Sequence, residues 1–519
     1  MLLKSLRELD LPRPLTITLA EREAWLLVNT DEPAEADRVA TASLEEAKAA
    51  DLPYVGLLNV IAVARYRAGD LEGTLVAADE ALAEASTPAD RIGAETIRGK
   101  ALVDLFRHDE GKVHLTRAAT EAEAIGDARA EIEAVNYLAV TEFTAGRYKQ
   151  AEQTFREALE LSEAIGYRWG EGLNLVNLAT LHAVQGQGGQ ALELFNRANE
   201  ILGSLDYRRV ESIVKYNLAD LNHRLLGDDE EAVDLARSAA VYFRSVGAEP
   251  NECRAMTILS SIDVRHGRRR LARRRLNDLL ARTDDIGDVA GRVEVRRVLA
   301  TLEADGGDLW AAANHLDDVL KLGEDYPLDT VLPNVLAHRA VLASDLGDRD
   351  TATALVDQAL ELNMVGLELA HITAWRCAMA LDALGREREA TEQFRLAYDM
   401  LAASLRGLSP TVADRSRVVI PEHAQIVEQY ERRFAISKQV TLPATDAPLG
   451  RPLRHDEMVD ITWTVSDPED WTHESPGDRR RQRLVRIVGQ ANGLGASPRI
   501  ADLADAAAVS ERTVKRDLA

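Results

Sequence analysis

With 519 residues and a formal net charge of −24, the chain is long enough for several domains or one extended array, and its acidity opposes non-specific binding to nucleic acid. Hydrophobic residues make up 46% and aromatic ones only 5%, which suits many thin helical interfaces better than one thick core or a β-sandwich. Two distant cysteines, Cys253 and Cys377, form no CxxC pair, which argues against a disulfide scaffold or a zinc site. No run of about 18 apolar residues is present to cross a membrane.

The first residues, MLLKSLRELDLPRPLTITLAEREAWLL, contain neither a long uncharged apolar core nor a small-residue cleavage site, so a reducing cytoplasm is the expected compartment. Arginine far outnumbers lysine, a bias typical of GC-rich bacterial genomes.

From about residue 15 to 405 the sequence repeats with a period near forty residues. Turn glycines stand at Gly146, Gly186, Gly227, Gly267, Gly307, Gly347 and Gly385. Five residues after each comes Ala151, Ala191, Ala232, Ala272, Ala312, Ala352 or Ala390, and four further on Phe155, Phe195, Ala236, Leu276, Leu316, Val356 or Phe394. Gly69 continues the period upstream, and weaker units turn near His108 and Thr30, giving about ten units. Each unit reads as a helical hairpin: glycine ends the first helix, the small alanine lets the two helices approach, and the larger residue fills the space one turn on. One hairpin cannot bury its own apolar face, so neighbours stack into an all-α superhelix with a groove.

Glycine, Tyr148 two residues later, alanine, a bulky residue and a second alanine such as Ala158 or Ala198 together resemble the tetratricopeptide repeat. The units are longer than the common form, the extra length falling in connections such as EAIGDARAEIEA. That is similar to the long-helix subclass found in bacterial signal-responsive regulators and peptide-pheromone receptors. The resemblance implies that the first helix of each hairpin lines the concave groove and that a peptide or protein ligand binds there.

On those first helices stand Asn136 and Tyr137, then Asn174 and Asn177, then Lys215, Tyr216 and Asn217. An asparagine amide both donates and accepts, so a ladder of them across successive units can pair with an extended peptide backbone; packing between helices or facing solvent is the alternative. The run RHGRRRLARRRL, residues 265–276, opens a second helix with cations that oppose the helix dipole. It is either a surface for phosphate, an acidic partner or an anionic effector, or a solvated outer face, and the second reading is preferred. Pro333 fits ordinary helix initiation.

Residues 406–436 are expected to form one helix capping the array. Residues 437–476 shift to proline, threonine and aspartate and read as linker with one short strand, in which Val459, Ile461, Trp463 and Val465 alternate with polar residues. Residues 477–519 carry nine basic against five acidic residues, a basic tail on an acidic body. Three helices are expected: Arg479–Gln490 with Leu484, Val485, Ile487 and Val488 inward, a short one with Ile500, Leu503 and Ala504 inward, and a third capped by Ser510, with Val509 and Val514 as a hydrophobic staple and Leu518 inward.

This is helix-turn-helix geometry, and Val509, Ser510, Thr513, Val514, Arg516, Asp517 and Leu518 match the V-S-x-x-T-hydrophobic-x-R-D-L signature of the DeoR-type winged helix-turn-helix, which the segment closely resembles. Ala508 stands where that family has its turn glycine, and the family continues into a wing, so the domain is expected to extend past Ala519. The resemblance implies that the third helix reads DNA. By position, Ser510 and Thr513 are expected on phosphates, and Arg512, Lys515 and Arg516 on bases or phosphates.

No phosphate loop, HExxH or GxSxG occurs, so neither catalysis nor a cofactor is expected. The expected function is a DNA-binding transcriptional regulator whose array senses a peptide, protein or small molecule, with a homodimer left open as an assembly. The alternative is a non-catalytic scaffold whose terminal domain contacts protein.

Overall fold

The structure, a computed structural model, describes residues 11–204, 208–362, 367–448, 451–473 and 475–518. Among the described residues, twenty α-helices from Arg13–Asn29 to Glu387–Ser404 pair into ten antiparallel hairpins. The alanine of each unit from Ala151 to Ala390 is sealed between its two helices, as are Phe155, Phe195, Leu276, Leu316, Val356 and Phe394 one turn later. This is the expected tetratricopeptide-like α-solenoid.

The period has a finer structure than the sequence analysis recognises. Gly146 takes φ +72° and ends one helix; Gly166 takes φ +67° and ends the next. The same left-handed stop recurs at about half the forty-residue period, so each unit consists of two helices of nearly equal length, such as Ala128–Thr144 and Tyr148–Ala164. In the early units that lack glycine, Asp31 and Phe106 take the left-handed conformation instead, at φ +60°.

The superhelix winds tightly enough for successive coils to touch. Arg209 donates to Asp31 Oδ1 at 3.2 Å across 178 residues, and Tyr242 donates to the same carboxylate across 211. One superhelical turn therefore takes about five units. Arg415 reaches back to Asp228 at 2.5 Å and to the Leu226 carbonyl at 3.1 Å. At Gly189 the coils are so close that a Cβ would lie 2.7 Å from the Arg406 carbonyl oxygen. The open side of the solenoid is thus closed by its own next coil, and the concave surface becomes the wall of a channel.

Residues 406–436 hold two helices, Pro410–Val419 and Pro421–Arg433, where one was expected. Pro421 forces Ile420 out of the helical region, to ψ 115°. The expected linker likewise carries an antiparallel hairpin: β1 (Ile436–Pro443) pairs with β2 (Met458–Ser466), placing Val440 opposite Ile461 and Lys438 opposite Trp463. Ile461, Trp463 and Val465 point into a core shared with Leu484, Ile487, Leu503 and Val514 of the last three helices. Those helices are Pro476–Gly493, Ile500–Ala506 and Glu511–Leu518.

Candidate functional site

Two regions carry the candidate residues: the channel and the last helix. In the channel the first helices of the hairpins face one another. The Tyr66 hydroxyl donates to Asp104 at 2.8 Å and lies 3.3 Å from the Tyr137 hydroxyl, two units away. The Lys100 ammonium sits 4.2 Å over the Tyr137 ring. Tyr137 therefore lies among channel-wall groups that are already partnered. Tyr216 stands near Asp220, Arg224 and Arg254, and burial, then the Asp220 charge, pushes its hydroxyl well above the usual tyrosine range.

The asparagine ladder is corrected by the geometry. Asn136 and Asn174 are buried at 2% and 0% exposure. Asn136 Nδ2 donates to Asn174 Oδ1 at 2.7 Å, Asn177 Nδ2 donates to Asn136 Oδ1 at 3.3 Å, and Asn174 Nδ2 donates to the Gly170 carbonyl at 2.9 Å. These amides join adjacent units to each other, because equivalent positions on neighbouring first helices come within hydrogen-bond reach. Lys215 is held beside its own unit by Glu211 at 2.7 Å and Ser238 at 3.4 Å. Asn217 is half-buried.

Further along, the wall holds a charge network that the sequence analysis did not identify. Arg224 donates to Asp220 at 2.6 Å, to Glu368 at 2.7 Å and to Glu294. Arg297 donates to Glu294 at 2.9 Å. Burial raises the Glu294 carboxyl, but Arg224 and Arg297 outweigh it and hold it below the ordinary range. Asn334 Oδ1 accepts from Arg297 at 3.3 Å and from Arg376 at 3.0 Å. A sequence signal existed: nine or ten residues before six of the seven turn glycines lie Tyr137, Asn177, Asn217, Arg297, His338 and Arg376. Arg297, His338 and Arg376 border a cavity of about 300 Å³.

Half of the arginines in RRRLARRR are ion-paired at home. Arg268 and Arg275 hold Asp263 at 2.6 and 2.7 Å, Arg273 holds Glu303, and Arg269 donates to the Asp305 carbonyl.

In the terminal helices Ser510 Oγ accepts from the Thr513 amide at 3.2 Å and lies 3.0 Å from the Thr513 hydroxyl, a side-chain N-cap. Val514 is fully buried and Val509 packs against the same core. Leu518, expected inward, is 44% exposed. The inward position beside it is taken by Asp517, which accepts from Arg480 of the first helix and lies 3.1 Å from Arg516. Val485 is likewise exposed rather than inward, leaving Leu484 and Ile487 to the core.

Much of the local basic charge is consumed internally. Arg486 and Arg483 grip the buried Asp470, and Arg499 pairs with Asp502. Arg512, Lys515 and Arg516 stay exposed on one short helix, Lys515 making only a 3.9 Å contact to Glu511.

Residues 133–165 match the tetratricopeptide repeat family. No curated protein matches the chain. Among solved structures, a Rap protein complexed with competence and sporulation factor is 15% identical, with a TM-score of 0.48, covering 76% of this chain and all of that one. Aspartyl phosphate phosphatase F from Bacillus subtilis is 14% identical at a TM-score of 0.43, covering 67% of this chain and 94% of that one. The apo form of the quorum sensor NprR from B. thuringiensis is 12% identical at 0.41, covering 74% and 97%. Among the described residues no helix is long and apolar enough to cross a membrane, and no cluster of metal-ligating side chains occurs.

Proposed function

We propose that the chain is a DNA-binding regulator whose solenoid channel senses a peptide, protein or small-molecule signal. The observation that carries the reading is the last helix. It is capped by Ser510, anchored by Val514, and presents Arg512, Lys515 and Arg516 outward together, Arg516 with Asp517 at 3.1 Å, Lys515 with Glu511 at 3.9 Å, and Arg512 in no ion pair among the described residues. A short helix with a buried anchor and an outward cationic face is what a helix-turn-helix places in the major groove. The acidic body repels DNA elsewhere, which leaves this face to set the orientation.

The test is retention of random genomic DNA fragments by the protein over a salt series, with sequencing of what is retained. Enrichment of one site, lost in Arg512→Ala and Arg516→Ala, supports the regulator. Each lost phosphate contact lowers the salt slope by about 0.9. Retention without any enriched sequence, unchanged in both variants, rejects it. The scaffold reading is favoured by a different observation: Val485 and Leu518 are exposed apolar side chains on two helices that contact each other, and a protein partner, including a second copy of the chain, would cover them.

A further inference from the structure

The cavity of about 300 Å³ lies where four first helices, Glu249–Arg265, Val289–Gly306, Leu332–Asp345 and Ala370–Ala383, meet the capping helix Pro421–Arg433. Two guanidinium groups converge at its wall on a single neutral acceptor. Asn334 is 3% exposed, and its amide orientation is fixed because Nδ2 donates to Thr373 Oγ1 at 3.0 Å. Its Oδ1 is therefore what Arg297 and Arg376 share.

Arg297 also has carboxylates, Glu294 at 2.9 Å and Glu368 at 3.6 Å. Arg376 forms no ion pair among the described residues; Asn334 is its one hydrogen-bond partner. Burial pushes its guanidinium down to about 10, and Glu422 opposes that only from a distance. Arginine does not deprotonate at neutral pH, so this is a half-buried cation with no carboxylate in ion-pair contact among the described residues. Next to it, the Trp375 indole N–H is buried without an acceptor. The imidazole of His338 is held neutral by burial, with Arg376 and Arg297 adding to the effect. The rest of the wall mixes apolar side chains, Val335 and Ile372 among them, with charged ones, Arg224, Arg265, Glu294 and Asp305.

A planar fork with free donors fits a carboxylate in two parallel hydrogen bonds. The apolar part of the wall fits a short hydrocarbon body, and the volume is at the small end of ligand pockets, too small for a folded or extended polypeptide of any length. Glu294, Asp305 and Glu422 on the same wall disfavour a second negative charge.

We propose that this cavity binds a small organic monocarboxylate, its carboxylate on the Arg376 guanidinium and its hydrocarbon part against the apolar wall. The inference deepens the sensing role proposed above and rests on it only for its regulatory consequence, since binding is measured without DNA.

The experiment is calorimetric titration and thermal melting of the full chain with hexanoate, hexanamide, inorganic phosphate and N-acetyl-leucyl-leucine, at constant ionic strength. Hexanoate is expected to bind saturably and raise the melting temperature, and hexanamide, the same shape without the charge, to bind at least tenfold more weakly. Arg376→Met is expected to weaken hexanoate at least tenfold while leaving the ligand-free protein as stable as the parent or more so, because a half-buried charge without an ion-pair partner is removed. Arg376→Lys keeps the charge without the fork and Trp375→Phe removes one donor; each is expected to weaken hexanoate several-fold.

Equal binding of hexanoate and hexanamide, or unchanged hexanoate binding in Arg376→Lys and Trp375→Phe, overturns the proposal. Phosphate binding alone makes the site one for inorganic anions and overturns it too. The acetylated dipeptide binding where hexanoate does not would replace the small acid by a peptide end. An Arg376→Met protein that melts far below the parent shows the arginine to be structural. Failure of the DNA test above with hexanoate still bound would reject the regulator and keep this site.

Discussion

Acid sensitivity of the capping region follows from a buried imidazole pair. His371 on the last hairpin and His423 on the capping helix meet Nε2 to Nε2 at 2.9 Å, and His423 Nδ1 lies 3.0 Å from the Ser416 hydroxyl. At such a contact one ring donates and the other accepts, so the accepting ring cannot take a second proton at Nε2 without losing the bond, and the two rings cannot both be charged. Burial pushes His371 down to about 4 from 6.5, and burial, then the charge of His371, takes His423 well below its usual range. Between those two values the unfolded chain binds the proton and the folded chain does not, so stability falls as the pH drops below about 6.5.

For His371 alone the loss at pH 5.5 is about 1.4 kcal/mol, from one pH unit below the unfolded value. The perturbation is His371→Gln, whose amide keeps a hydrogen bond to His423 but does not titrate. Urea denaturation of both chains is measured at pH 7.5 and 5.5. The parent is expected to lose about 1.4 kcal/mol more than the variant over that interval. Carboxylates titrate in both chains and cancel in the difference. Identical losses in the two chains would refute the placement of His371 as a buried neutral group.

Phe195→Ala empties a fully buried site between Ala191 and Ala198 and is expected to cost about 3–5 kcal/mol, read by urea denaturation. Asp470→Asn removes the carboxylate held by Arg486 and Arg483 and leaves two cations without it; a loss of about 3 kcal/mol in the terminal helices is expected, seen as faster hydrogen exchange in residues 476–493 with the array unchanged. Ala508→Gly relieves a left-handed alanine at φ +52°. It is expected to stabilise the terminal helices by about 0.5–1 kcal/mol, measured as slower proteolysis there.

The solenoid was legible because its determinants are local and repeated. A left-handed glycine and a sealed alanine recur in phase, and each needs only its own hairpin to explain it. Strand β2 was legible for the same reason, through its alternation. Strand β1 was not, because Lys438 sits opposite Trp463 and breaks the apolar alternation that the rest of ISKQVTLP suggests. The groove residues were read by type rather than by phase. Asparagines drew attention as peptide binders, yet Asn136 and Asn174 found each other. Arg297 and Arg376, ordinary in a chain so rich in arginine, acquire their meaning only from Asn334, 37 and 42 residues away. A sequence shows which residues carry charge; whether a charge is matched depends on what the coil brings beside it.

The capping helix Pro421–Arg433 is where the two proposed sites become one molecule. Its first turn supplies Glu422 and, one turn on, Gln425 to the cavity wall. Its last turn carries Glu431, 3.4 Å from Arg483 of the terminal helices, and Arg432, stacked 4.8 Å over Trp471. The Trp471 ring also takes Arg479 at 4.4 Å, so the indole is shared between array and terminal domain. A 13-residue helix is about 20 Å long, short enough to tilt as a rigid rod. A ligand in the cavity that prefers one tilt of this rod tenfold shifts the balance of terminal-domain orientations by about 1.4 kcal/mol. The closed coils sharpen the effect. Because Asp31, Arg209, Tyr242, Asp228 and Arg415 tie each turn of the superhelix to the next, the channel cannot widen by simple uncoiling without breaking partly buried ion pairs.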